Sequence, residues 1–142
     1  MQSPTELVAL FRRKGLKVTP QRVAIFEALQ GDTGHPTAVT IYDRVAAGMP
    51  SISLRTVYQT LIDLAAMGEI QCHTIGTAAI RFDANVDDHQ HLVCDGCGAI
   101  ADTYLDVSCL RQGELAGFDV ARTTVVLHGT CRRCAEAAPD PQ

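Results

Sequence analysis

The chain has 142 residues, 46% of them apolar, which is enough for one domain or two small domains with packed cores. Its 16 acidic and 12 basic side chains give a formal net charge of −4, which argues weakly against nucleic-acid binding. No segment has the length and apolarity of a membrane span or a secretory signal, so we expect a cytoplasmic protein.

Charge and cysteine are distributed unevenly along the chain. Residues 1–82 contain eight Lys/Arg and six Asp/Glu, a balance of +2, whereas residues 83–142 contain four and ten, a balance of −6. Five of the six cysteines also lie in the second part. We therefore predict two domains, 1–82 and 83–142. Cysteines in a cytoplasmic chain indicate metal or redox chemistry before structural disulfides.

The first part of the chain predicts helices followed by a hairpin. The first helix is expected from Thr5 to Lys14, and three more are expected after the capping residues Thr19, Thr37 and Ser53. Apolar side chains at helical spacing are expected to face the core, namely Val23, Phe26, Leu29, Ile41, Val45, Val57, Leu61, Leu64 and Ala65. Alternating segments on both sides of Gly76 predict two strands.

Helices followed by a hairpin are typical of a winged helix-turn-helix, whose last helix enters the major groove of DNA. The start of that helix offers four candidate DNA contacts, Arg55, Thr56, Tyr58 and Gln59. Arginine can bind guanine and glutamine can bind adenine through paired hydrogen bonds. The same residues would also suit the solvated face of a small helical bundle, so this pattern alone leaves DNA binding open.

Two Cys-x-x-Cys motifs in the second part predict a zinc site. They place Cys94 and Cys97 in one turn and Cys131 and Cys134 in another. Four thiolates saturate a tetrahedral zinc ion and leave no position for water, so this site is expected to be structural. A pair of redox-active dithiols, or cysteines unrelated to one another, are the alternatives.

The segment "HQHLVC" predicts a second metal site. In an alternating strand His89 and His91 lie on one side, whereas Cys94 points to the other. Possible further ligands are Asp83, Asp87, Asp88, Asp102 and, from the first part of the chain, His35. Nitrogen and carboxylate ligands suit Fe²⁺, Mn²⁺, Zn²⁺ or Ni²⁺. The alternative is a surface strand with two polar residues.

The remaining histidines and cysteines are not interpreted as metal ligands or redox switches. His73 is expected to be solvated, and His128 is expected to lie near the second cysteine motif. Cys72 shares the parity of Ile70 and is expected to be buried, as is Cys109 in a helix predicted over residues 106–117.

Taken together, these segments resemble the Fur family of metal-dependent repressors. The resemblance covers nearly the whole chain and is found in "LKVTPQR", "HPTAVTIYDRV", "SISLRTVYQTLIDLAAMGEI", "RFD", "HQHLVCDGCG" and "CRRC". It implies an α+β homodimer in which an N-terminal winged helix-turn-helix domain is followed by a C-terminal α/β dimerisation domain. It also implies metal-dependent binding to a roughly palindromic DNA operator.

The resemblance assigns both metal sites. It implies that structural Zn²⁺ is held by Cys94, Cys97, Cys131 and Cys134. It implies that the regulatory metal, Fe²⁺ or Mn²⁺, is held by His35, Asp83, His89, His91 and Asp102. With aspartate at both carboxylate positions, the ligand set resembles that of the peroxide-sensing, PerR-type branch of the family. The resemblance to this branch implies that iron-catalysed oxidation at His35 and His89 releases the metal and then the DNA.

Two positions depart from the family pattern. Gln59 stands where the best-known members have Arg or Asn, so the operator sequence of those members cannot be carried over to this chain. A further metal site of some members is matched only by Asp88, Gln90 and Thr123, a poor set of ligands.

Other functions fit parts of the sequence. A repressor that senses the supply of iron, zinc, manganese or nickel is the alternative within the family. A small metal-dependent hydrolase and a zinc-stabilised interaction module are alternatives outside it. We expect a regulator and not an enzyme, because the sequence shows no evident general base or substrate pocket.

Overall fold

The structure is a computed structural model that describes residues 1–74, 79–107, 114–115, 117–119 and 123–137. The chain divides into two compact units, Met1–Val86 and Asp87–Gln142, called unit 1 and unit 2 below. Helices predominate in unit 1 and short strands in unit 2, which confirms the predicted α+β class. Within the described ranges, no helix combines the length and apolarity that crossing a bilayer requires.

Unit 1 consists of four helices and a two-stranded hairpin. The elements are α1 Pro4–Arg13, α2 Pro20–Leu29, α3 Ala38–Ala46, α4 Leu54–Ala66, β1 Gln71–His73 and β2 Arg81–Asp83. Each helix begins after a hydroxyl side chain that accepts a backbone N–H of the first turn, namely Ser3, Thr19, Thr37 and Ser53. Helix α1 starts one residue before the prediction, because Pro4 suits its first position.

The core of unit 1 is formed by all four helices and the hairpin. Seven of the nine side chains predicted to face inward are buried, whereas Val23 and Ala65 are partly exposed. Ile25 and Thr60 are fully buried instead. Thr60 can enter the core because its hydroxyl donates a hydrogen bond of 2.7 Å to the carbonyl of Thr56 in the preceding turn.

The outer face of α4 remains in solvent. Arg55, Tyr58 and Gln59 are exposed, and Ile62 is 57% exposed. Thr56 is partly buried, and its hydroxyl lies 2.9 Å from that of the capping residue Ser53. The residues predicted to contact DNA therefore lie on the surface of unit 1.

Unit 2 is built around a small mixed sheet. Its elements are β3 Gln90–Cys94, β4 Ile100–Thr103, β5 Glu114–Leu115, β6 Phe118–Asp119, β7 Val126–Gly129 and α5 Arg132–Ala137. Strand β3 is central, antiparallel to β4 and parallel to β7. This arrangement places the C-terminal ends of β3 and β7 side by side. Strand β3 ends at the first cysteine motif, and β7 ends just before the second.

The prediction of a helix over residues 106–117 is wrong for its C-terminal end. Glu114–Leu115 is a strand paired with Phe118–Asp119 around Gly117, whose φ of +83° suits a tight turn. Cys109 and Gly76 lie outside the described residues.

Two predictions about β1 are also wrong. Cys72 is exposed, whereas the side chain of His73 is only 11% exposed. The prediction counted the alternation from Ile70, which precedes the strand that begins at Gln71. The burial of Ile70 therefore does not determine whether Cys72 is buried.

Leu61 and Ile62 are adjacent residues of α4 in opposite environments, 0% and 57% exposed. We expect Leu61→Ala to lower the free energy of unfolding by about 2–5 kcal/mol, because it leaves a cavity in the core. Ile62→Ala should change it by less than about 0.5 kcal/mol. Urea unfolding followed by circular dichroism measures both, and equal midpoints would contradict this packing.

Candidate metal sites

Four cysteine sulfurs converge in unit 2. The Sγ atoms of Cys94, Cys97, Cys131 and Cys134 all lie within 4.8 Å of one another, and those of Cys97 and Cys131 are 3.8 Å apart. Sulfurs at about 2.3 Å from a tetrahedral zinc ion are about 3.8 Å apart. The four side chains therefore fit a closed tetrathiolate zinc site.

Backbone contacts hold the two motifs together. The N–H of Cys94 donates to Ala99 and the N–H of Gly98 donates back to Cys94, which closes the first turn. Parallel pairing sets Cys94 opposite Gly129 and brings the second motif alongside. A Cβ atom at Gly96 would lie 3.2 Å from the sulfur of Cys134, so glycine lets this turn approach the cluster closely.

The local electrostatics favour a bound cation. The backbone N–H of Cys131 lies 3.3 Å from the Cys94 sulfur and, with other backbone donors, lowers the pKa of that thiol to about 6. Contact with the sulfur of Cys131 and the other cysteines raises the pKa of Cys134 to about 12. A fourth thiolate next to three others is unfavourable without a positive ion, and zinc supplies that charge.

A second group of candidate ligands begins in unit 1. His35 and Asp83 are 1% and 2% exposed, and their Nε2 and Oδ2 atoms are 3.5 Å apart. The other carboxylate oxygen of Asp83 accepts the backbone N–H of Asn85 at 2.8 Å. This contact fixes the carboxylate so that Oδ2 faces the imidazole of His35.

The loop before α3 holds His35 in an uncommon conformation. His35 has a φ of +48°, which few residues other than glycine adopt. Asp32 supports the loop by accepting the N–H of Gly34 at 2.7 Å and by pairing with Arg44. On the other side, Arg81 donates to the carbonyl of His35 at 3.4 Å. Such backbone strain is typical of functional positions.

His73, which was predicted to be solvated, lies next to this group. Its Nε2 atom is 3.9 Å from Oδ2 of Asp83. Strands β1 and β2 pair Gln71 with Asp83, so His73 is the diagonal neighbour of Asp83 on the same face. Only the register of the hairpin could have revealed this contact, and that register is not evident from the sequence.

Unit 2 contributes a third cluster of nitrogen and oxygen ligands. The Nε2 atoms of His89 and His91 are 3.1 Å apart. The Oδ1 atom of Asp102 lies 3.7 Å from Nε2 of His89. Asp102 stands opposite His91 on the neighbouring strand. Two imidazole nitrogens in adjacent positions around one ion, each at about 2.1 Å, are about 3 Å apart. This geometry fits a divalent metal.

The tautomer of His89 is fixed by its backbone neighbour. Its Nδ1 atom lies 2.8 Å from the carbonyl oxygen of Asp87, which can only accept a hydrogen bond. Nδ1 therefore carries the proton, so the lone pair available for binding a metal ion is on Nε2. A hydrogen bond of this kind on the remote nitrogen is the usual support of a metal-binding histidine.

The other candidate ligands lie elsewhere. Asp87 and Asp88 are exposed, and the Gln90 side chain accepts the backbone N–H of Leu105 at 2.6 Å. The exposed ring of His128 lies 2.8 Å from the side chain of Asp95, which stands between the first two cysteines in sequence.

Comparison with known proteins identifies the family. The profile described as "Ferric uptake regulator family" matches residues 13–128. The "Peroxide-responsive repressor PerR" of Staphylococcus epidermidis is 35% identical over 92% of this chain and 89% of its own length.

Solved structures agree with this result. The ferric uptake regulator of Vibrio cholerae is 30% identical, with a TM-score of 0.70 over 87% of this chain and 98% of that one. PerR from Streptococcus pyogenes is also 30% identical, with a TM-score of 0.55 over 94% of each chain. From its sequence, its fold and its two kinds of metal-ligand cluster, the chain belongs to the ferric uptake regulator family.

Proposed function

We propose that this chain is a metal-dependent, DNA-binding repressor that responds to hydrogen peroxide. The observation that carries the proposal is a set of nitrogen and oxygen ligands that uses aspartate, Asp83 and Asp102, at both carboxylate positions. The likeness to PerR proteins of about one-third identity supports the same reading.

The four cysteines are proposed to hold a structural zinc ion. All four ligand positions of a tetrahedral zinc would be taken by sulfur, so the ion could not bind water or substrate. Its role would be to tie the segment after β7 to the turn after β3 and thereby stabilise unit 2.

The histidines and aspartates are proposed to hold one regulatory ion. His35 and Asp83 offer two ligands, whereas His89, His91 and Asp102 offer three. Each set alone is small for Fe²⁺ or Mn²⁺, which commonly take six ligands, and both sets have the same nitrogen and oxygen chemistry. An ion that took ligands from both would join the DNA-binding unit to the proposed dimerisation unit.

Metal-dependent DNA affinity would follow from that connection. A homodimer that binds a roughly palindromic operator must hold its two recognition helices at a fixed spacing. A ligand that favours one arrangement of the units raises affinity by shifting the population towards it. Helix α4 would supply the contacts, with Arg55, Thr56, Tyr58 and Gln59 at its exposed start.

The proposed response to peroxide is oxidation of a histidine. Bound Fe²⁺ would supply the redox chemistry that cleaves the O–O bond, whereas Mn²⁺ would not. One oxygen of hydrogen peroxide would be added to the imidazole of His35 or His89, and the other would leave as water. An oxidised ring is a poorer metal ligand, so the metal and then the DNA would be released.

A second candidate is a repressor that senses metal supply. It is favoured by the likeness to the Vibrio cholerae ferric uptake regulator, which is as similar in sequence as the solved PerR of Streptococcus pyogenes. The two candidates share the fold, the zinc site and the DNA-binding helix, and differ in whether peroxide releases the DNA.

Loss of one zinc ligand should remove the structural ion. Purified protein should contain about one tightly held Zn²⁺ per chain. Cys94→Ser and Cys131→Ser should lose it, together with the dimer and much of the structure of unit 2. Cys72→Ser is the matched control, because this exposed cysteine lies outside the cluster. Metal analysis and thiol labelling measure the outcome; a folded, zinc-free dimer with four reactive thiols would contradict the assignment.

Binding to an operator duplex should require the regulatory metal and weaken steeply as salt rises. Arg55→Ala should reduce affinity by about tenfold or more through loss of a base or phosphate contact, and Tyr58→Ala should also reduce it. Metal content should not change in either variant. Arg132→Ala removes the same charge from an exposed position of unit 2 and should have little effect. Equal affinity of the metal-free and loaded protein would exclude the switch.

Low concentrations of peroxide should abolish DNA binding by the Fe²⁺ form and spare the Mn²⁺ form. Mass spectrometry should find one added oxygen on peptides that contain His35 or His89, with the zinc cysteines unmodified. Asp102→Glu keeps the charge but moves the carboxylate by one methylene, so it should retain metal-dependent binding and lose much of the peroxide response. If the Fe²⁺ form keeps its DNA and intact histidines, the sensor of metal supply is the correct account.

A further inference from the structure

Three side chains on the surface of unit 1 form a connected chain that ends on the recognition helix. The Nε2 atom of Gln59 donates to Oδ1 of Asp63, one turn later on α4, at 2.9 Å. The other oxygen of Asp63 lies 2.7 Å from Nη2 of Arg22 on α2. Both carboxylate oxygens of Asp63 are thus engaged, each by a different partner.

Arg22 anchors this chain to the body of unit 1. Its guanidinium also donates to the carbonyl of Lys17 at 3.2 Å and lies 5.0 Å from the centre of the Phe11 ring. The side chains of Arg22 and Asp63 are each 14% exposed. The carboxylate of Asp63 therefore has a fixed position beside the exposed Gln59.

This contact decides how the amide of Gln59 is turned. An ionised carboxylate can only accept hydrogen bonds, so the end of the amide that faces Asp63 must be the NH₂ group. The amide oxygen and the second N–H of Gln59 remain available to a ligand. With a neutral neighbour, the amide could turn over and present its nitrogen in place of its oxygen.

The two orientations match different bases in the major groove. Adenine offers an N6 amino donor and an N7 acceptor, which pair with one acceptor and one donor of the amide. Guanine offers two acceptors, O6 and N7, and has no donor in the major groove for an outward amide oxygen. The orientation fixed by Asp63 thus suits adenine and opposes guanine.

We infer that Asp63 is a positioning residue that fixes the amide of Gln59 and makes α4 select adenine over guanine at the base pair it meets. Asp63 itself does not contact the base. The inference rests on the proposed DNA-binding function and adds to it the residue that determines specificity at one position of the operator.

Selection from a random duplex library with the Mn²⁺-loaded dimer tests this inference. The wild-type profile should contain one position in each half-site at which adenine is required. Gln59→Ala should abolish the preference for adenine at that position. Asp63→Asn should lower the preference for adenine over guanine at that position by about tenfold, in the range that one paired base contact supplies. Preferences at the other positions and the metal content should not change.

Two controls separate this effect from charge and from general damage. Glu27→Gln on the exposed face of α2 removes the same negative charge without touching Gln59 and should leave the profile unchanged. In the Gln59→Ala background, Asp63→Asn should change nothing at the adenine position, because Asp63 acts only through Gln59.

The outcomes also distinguish this inference from the proposed function. If Asp63→Asn keeps the full adenine preference, or if Gln59→Ala leaves it intact, the inference is wrong although DNA binding stands. If the wild-type dimer selects no sequence in the Mn²⁺ form, the proposed function itself fails.

A measurement on the wild-type dimer removes any dependence on the folding of the variant. With zinc in the regulatory site, the side-chain amide of Gln59 should have a higher NMR order parameter than that of exposed Gln30. An amide of Gln59 that turns as freely as that of Gln30 would overturn the inference.

Discussion

The crowding of four cysteine sulfurs is the constraint on which unit 2 depends. Among the residues of unit 2 whose side-chain burial the structure describes, Val93, Cys94 and Ile100 are the buried apolar ones. Small domains of this kind usually require a metal, a disulfide or a partner chain to be stable. A zinc ion that converts mutual repulsion of thiolates into four bonds would supply this stability. Because the cluster joins β3 to the segment after β7, it also supports the strand that holds His91.

Unit 1 is stabilised in the ordinary way, by an apolar core that all four helices share. That rigid body can therefore hold unfavourable features at its surface and in its loops. The clearest is His35, with its left-handed backbone and buried ring next to a buried carboxylate. Burying ionisable groups is costly unless they are paired or bind a metal. The strain is concentrated where the proposed regulatory ion would take its ligands, and a metal would offset part of this cost.

A recurring feature is that a neighbouring acceptor determines which atom a side chain displays. The carbonyl of Asp87 holds the proton of His89 on Nδ1, so that Nε2 is the atom that would bind the proposed metal. The carboxylate of Asp63 accepts a hydrogen bond from the amide nitrogen of Gln59, so that the amide oxygen is the atom left for the proposed base contact. In both cases the support comes from a group that never touches the ligand. Substitution of such a group would change selectivity while every contacting residue remained in place.

The sequence by itself determined the features that depend on local chemistry. The starts of α2, α3 and α4 followed from the capping hydroxyls of Thr19, Thr37 and Ser53, because a cap needs only its own first turn. Helical spacing identified most of the core, and the cysteine motifs predicted the cluster because the ligands within each turn are neighbours in the chain. The full set of regulatory ligands came from the family resemblance and the DNA contacts from the helix-turn-helix pattern, and both remain predictions.

Tertiary structure decided what depends on register and on long-range contacts. The alternation of β1 cannot be counted from Ile70, which lies before the strand, and in the structure Cys72 is exposed and His73 lies beside Asp83. The helix predicted over residues 106–117 gave way at its end to a strand whose partner follows Gly117. The chain Arg22–Asp63–Gln59 joins residues 41 positions apart in sequence. Only the packing of α2 against α4 brings them together, because no local pattern encodes which helices become neighbours.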